Sequence, residues 1–196
     1  MSQKPNKKVV VLPYDPQWAI TFKALQTIYQ HHLGDLVMAI EHVGSTSVVG
    51  LAAKPIVDMD IIVEDKIKLQ AVLQKMTKLG YYHDGDYGIV GREVLKQTDY
   101  TVPFTTPKKN WGKHNLYVCI QGVASLENHL QFRNYLRLHP EKVKEYAELK
   151  LELAQRFPYD IDQYIERKTP FITDILAKTG FDTKIIDDIT EQNRVK

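Results

Sequence analysis

The stretch HVGSTSVVGLAAKPIVDMDIIV, residues 42–63, decides the fold. It carries Gly44-Ser45 near one end and Asp58-Met59-Asp60 near the other, the second inside an apolar run. IVDMDIIV reads as a β-strand. Side chains alternate along a strand, so Asp58 and Asp60 share one face, about 7 Å apart. Ile56 and Ile62 flank them there, while Val57, Met59, Ile61 and Val63 make an apolar opposite face suited to a core. On a sheet edge two such acids are usually a solvated face. On a covered strand they repel each other and are costly to bury without a partner. A cation answers that cost. Carboxylates so spaced suit Mg²⁺, which prefers oxygen ligands and keeps water and phosphate oxygens in its shell.

The Gly-Ser turn complements the acids. Gly44, Ser45, Thr46 and Ser47 are small, so a turn there exposes backbone N–H groups to phosphate, with hydroxyls as further donors. It is not a P-loop, because no Gly-Lys-Ser/Thr occurs.

Outward from this stretch, KKVVVLPYD, residues 7–15, reads as a short N-terminal strand ending at Pro13. Residues 15–34 read as a helix with Asp15 as N-cap, Pro16 in its first turn and Gly34 beyond its end. LVMAIEHVG is a strand, and EDKIKLQAVLQKMTKLG is the helix after the acid strand. Strands are expected within residues 81–97 and 113–122, with residues 99–113 as a flexible loop between them. From Ser125 onward the pattern is helical. The expected fold class is α+β: a mixed sheet with flanking helices over residues 1–124 and a helical portion over 125–196. The short connection QGVAS suits packing as one unit.

Composition narrows the function classes. The chain has 196 residues, 43% hydrophobic and 26% charged, with a formal net charge of +2. Near neutrality argues against a general nucleic-acid binder. Cys119 is the single cysteine, so no intrachain disulfide can form. No apolar run approaches the roughly 18 residues of a membrane span. The N-terminus is polar and basic and lacks a signal-peptide core. A cytoplasmic protein without a membrane partner is the expectation.

Val43-Gly44-Ser45, then residues 46–57, then Asp58-Met59-Asp60-Ile61, resembles the signature of the polymerase-beta-type nucleotidyltransferase superfamily. The fuller stretch resembles the GrpB family within it. HNLYVCIQG, FRNYLRLHPEKVKEYAELKLELA and YIERKTPFI extend that resemblance over residues 9–180. It implies a nucleotidyltransferase-like fold, with Gly44 and Ser45 holding triphosphate oxygens and Asp58 and Asp60 binding Mg²⁺. Related domains fused to dephospho-CoA kinase imply a nucleotide or coenzyme A connection. Active superfamily members add a third carboxylate on a neighbouring strand. Here the later strand offers His114, Asn115 and Tyr117 instead, leaving Glu93 as the nearby acid and His114 as an alternative base.

Further phosphate candidates are Thr46 in the turn, Lys54 before the acid strand, Arg92 at a strand start and Lys168 in YIERKTPFI. Trp111 reads as the anchor of a solvated loop, and Cys119 as a small core residue. Three classes stay open. The first is a Mg²⁺-dependent nucleotidyltransferase passing a nucleotidyl group from a nucleoside triphosphate to an acceptor. The second is a catalytically degenerate module of the same fold that binds nucleotide, coenzyme A or a protein. The third is a metal-dependent phosphohydrolase.

Overall fold

A computed structural model describes residues 7–195. The segment 1–6, expected to lack a signal-peptide core, lies outside the described residues. The chain divides into two compact units, each discontinuous in sequence. One holds residues 15–47 and 56–130, the other residues 7–14, 48–55 and 131–195. The expected boundary at 124 therefore moves to the middle of a helix, and two early segments join the helical unit.

The first unit is built on a five-stranded mixed sheet. Its strands are β1 (Ala39–Val43), β2 (Val57–Val63), β3 (Tyr81–His83), β4 (Arg92–Gln97) and β5 (His114–Ile120), in the order β1-β2-β5-β4-β3. β2 and β5 are parallel, and the other pairs are antiparallel. The acid strand β2 is thus interior, and both its faces are largely covered. Val57, Met59, Ile61 and Val63 are all buried. Two helices pack on the sheet, α1 (Gln17–Leu33) and α2 (Lys66–Lys78). Trp18, Phe22, Leu25, Tyr29 and Leu33 recur at helical spacing and form the buried stripe of α1. Its N-cap is Pro16 rather than the expected Asp15, whose carboxylate accepts the Gln17 N–H at 2.9 Å. Gly34, at φ 54°, closes the helix. The Asp65 carboxylate caps α2 by accepting the Lys68 N–H at 2.8 Å.

The loop 99–113, expected to be flexible, is held by a built-in anchor. Trp111 is buried, and its indole N–H donates to the Pro103 carbonyl at 3.0 Å. The Gln97 amide donates to the carbonyls of Val102 and Gly112.

The helical unit contains the C-terminal part of α3 (Ala124–Leu138), then α4 (Pro140–Arg156), α5 (Ile161–Lys178) and α6 (Thr183–Gln192). Val48 and Leu51 pack with Leu136, Tyr146 and Ile175, and Phe171 stacks on Tyr146 at 4.7 Å. The expected N-terminal strand is reduced to one bridge, Leu12 to Ala53. Val9 packs with Leu153 and Tyr164, and its N–H donates to the Pro158 carbonyl at 2.8 Å. The segments 7–14 and 48–55 join the helices because their apolar side chains find cover there. Among the described residues no helix is long and apolar enough to cross a membrane.

Candidate active site on the sheet

Strand register sorts the candidate residues onto two faces. Asp58 pairs with Asn115 and Asp60 with Tyr117 across β2 and β5. Glu41 stands opposite Asp60 on β1, and Arg92 opposite Cys119 on β4. One face of the sheet therefore carries Glu41, Asp58, Asp60, Asn115, Tyr117 and Arg92. Glu93 pairs with Val118, and His114 with Val57, so both proposed bases lie on the other face.

Asp60 is completely buried. Its Oδ2 lies 2.9 Å from Nδ1 of His129, which the N-terminal part of α3 delivers to this face. Leu126 of the same helix packs against Ile62 and Cys119, and that contact seats the helix beside the acids. Burial works against a charged imidazole, but the Asp60 carboxylate, with Asp58 beyond it, holds the His129 pKa above its ordinary value. One of the oxygens on which a metal was expected thus has a side-chain partner. The other oxygen, Oδ1 of Asp60, is buried and makes no hydrogen bond. Asp58 Oδ1 accepts from Asn115 Nδ2 at 2.6 Å.

Gly44 sits against this pair. A Cβ at that position would meet the Asp58 carboxylate, with Cβ and Cγ of Asp58 only 3.0 Å away, and φ is 65°. Glycine is needed on both counts. The 3-10 turn Ser45–Ser47 follows, closed by Ser47 Oγ donating to the Gly44 carbonyl at 2.6 Å. Thr46 turns away from the acids. It is buried, with Oγ1 3.0 Å from Nε2 of His42, whose ring stacks on Phe22. Its expected phosphate contact gives way to a core hydrogen bond. Ser45 remains half-buried at the turn.

Arg92 lies with its guanidinium 5.2 Å from the Tyr117 ring centre, and its buried Nε makes no hydrogen bond. Burial pushes the Tyr117 hydroxyl up, Asp58 adds to that, and Arg92 opposes it. Register puts Arg92 on the acid face.

The two proposed bases have other work. Glu93 Oε2 lies 2.7 Å from His83 Nε2. His114 is buried beside Tyr81, with its Nε2 2.5 Å from the Tyr81 hydroxyl, which in turn contacts the Tyr29 hydroxyl. Burial pushes the His114 pKa down to about 4. Alternation along β4 and β5 puts both residues behind the sheet, out of reach of the aspartates. Lys54 and Lys168 belong to the helical unit, where their ammonium groups lie 5.8 and 4.8 Å from the Tyr164 ring centre.

Sequence reasoning missed His129 and Glu41. His129 lies far along the chain on a helix, and no spacing rule links it to Asp60. Glu41 lies across from Asp60 only through the β1–β2 register, which a connection of more than ten residues leaves open in the sequence. Even so, no group of three or more His, Cys, Asp or Glu side chains is arranged to hold a metal among the described residues. Mg²⁺ commonly takes only one or two carboxylates and draws its other ligands from phosphate and water, so this donor set fits it.

The acid pair beside a glycine turn, its Asp60 fully buried, on an interior strand of a mixed sheet, belongs to a nucleotidyltransferase-like fold. Residues 8–178 match the family described as GrpB protein, and the chain belongs to that family. It is 36% identical over 168 residues to the UPF0157 protein YqkA of Bacillus subtilis, covering 86% of this chain but only 46% of YqkA. It therefore spans about half the length of that relative. The crystal structure of the conserved protein GrpB from Enterococcus faecalis superimposes with a TM-score of 0.70 at 31% identity, covering 93% of this chain and 98% of that one. The MgGTP-bound Cid1 poly(U) polymerase aligns with a TM-score of 0.53 at 15% identity, over 74% of this chain and 45% of Cid1. That last likeness concerns the fold alone.

Proposed function

We propose that this protein binds a nucleoside triphosphate with Mg²⁺ on the Asp58–Asp60 face and transfers its nucleotidyl group to an acceptor hydroxyl. One observation carries this reading: a fully buried carboxylate whose Oδ1 has no hydrogen-bond partner, beside Asp58 and the Gly44 turn. A buried acceptor oxygen left unpaired is costly, and a cation offsets that cost. Mg²⁺, when bound, would neutralise phosphate charge there. Asp58 and Asp60 supply oxygen ligands. The turn at Gly44 and Ser45 lets the backbone approach phosphate closely, and Arg92 offers a guanidinium to its oxygens. The acceptor oxygen bonds to the α-phosphorus, the bond to the β-phosphate oxygen breaks, pyrophosphate leaves, and the hydroxyl proton passes to water. Lys54 and Lys168, the other proposed phosphate ligands, each lie near the Tyr164 ring in the helical unit.

A second reading is favoured by Asn115. It stands on the neighbouring strand where a third carboxylate would be wanted, and neither Glu93 nor His114 replaces it. The protein would then be a nucleotide- or coenzyme A-binding module without turnover.

The test is a thermal-shift panel of nucleoside triphosphates and coenzyme A, with and without Mg²⁺. Ligands that bind only the folded chain raise its melting temperature. A Mg²⁺-dependent shift is expected for wild type and for Glu93→Gln, and is expected to vanish in Asp58→Asn. No shift with any ligand would overturn both readings. A shift without pyrophosphate release across an acceptor screen would favour the binding module.

A further inference from the structure

We infer that the aspartate face takes one divalent cation, not the two of a two-metal transferase, and that Asn115 and His129 set this count. The inference rests on the proposed Mg²⁺–nucleotide reading and says how that site is filled.

Two carboxylates have four oxygens between them. Asn115 Nδ2 occupies Asp58 Oδ1 at 2.6 Å, and His129 Nδ1 occupies Asp60 Oδ2 at 2.9 Å. Each acid thus has at least one oxygen committed to a protein donor. The buried oxygen without a hydrogen-bond partner is Asp60 Oδ1, and a cation centres there. A second ion needs oxygens bridging between two positions about 3.5–4 Å apart. The strand that would supply them presents an amide, whose N–H₂ is aimed at Asp58 and repels a cation rather than ligating it. Glu41 shares the face but does not complete a three-ligand group.

Crystals soaked with manganese chloride and inorganic triphosphate test this by counting anomalous peaks at β2. Wild type is expected to show one, beside Asp60 Oδ1. Asn115→Asp supplies a carboxylate and removes the amide, and is expected to show two. Two peaks in wild type would overturn the inference while leaving the metal reading intact. A single peak in Asn115→Asp would overturn the role given to Asn115. No peak in either protein would overturn the underlying reading.

Discussion

The imidazole Nδ1 of His129 lies 2.9 Å from Oδ2 of Asp60, a carboxylate with no exposed surface. The pair joins a helix to an interior strand of the sheet and gives a buried acid a side-chain partner. Breaking it leaves a buried carboxylate without its side-chain partner. By NMR, the His129 imidazole is expected to titrate above the ordinary histidine range. In Asp60→Asn the burial remains without the carboxylate, and its pKa is expected to fall. The sign follows from linkage. A raised folded pKa stabilises the protein below about pH 6.5, and that contribution is lost as pH rises through the folded value. Unchanged titration in the variant would remove the pair from the account of this site.

His114 works in the opposite direction. Its folded pKa of about 4 lies below that of an unfolded histidine. The unfolded chain therefore binds more protons between about pH 6.5 and 4, and stability falls as pH drops through that window. The gap from 6.5 to about 4 corresponds to roughly 3 kcal/mol. Melting temperatures of wild type and His114→Gln, compared between pH 7 and 4.5, check this. The wild type is expected to lose more, and parallel curves would contradict the assignment.

Gly44→Ala tests the turn. The added Cβ collides with the Asp58 carboxylate and forces alanine into left-handed backbone at φ 65°. Backbone strain alone costs about 1–2 kcal/mol. A melting point lower by several degrees is expected, with loss of any Mg²⁺-nucleotide shift. A variant that keeps both would mean the turn is not pressed against the acids.

Leu51→Ala probes the helical unit. Leu51 is fully buried with Leu136, Tyr146 and Ile175, and truncating such a leucine costs about 2–5 kcal/mol. Chemical denaturation is expected to show a loss of that size. A loss under about 0.5 kcal/mol, as at ordinary surface positions, would show that segment 48–55 is not part of the helical core.

How far the sequence could be read follows from the range of each interaction. The helices α1 and α2, the alternation of β2 and the core role of Cys119 are local patterns, and the fold confirms each. Glu93 and His114 looked adjacent to the site because their strands were rightly expected nearby. Which face each side chain took depended on register, and one residue of register exchanges the faces.

The sequence by itself determined the α+β class, the family and the Gly44–Ser45 and Asp58–Asp60 pairing, because helix and strand periodicity and the motif lie within short spans. Only the tertiary structure decided that β2 is interior, that His129 answers Asp60, that Asn115 takes an oxygen of Asp58, and that the segments 7–14 and 48–55 belong with the helices. Those outcomes come from contacts between residues far apart in the chain. They are settled by which apolar surfaces find cover and which buried charges find partners, and no local pattern encodes either.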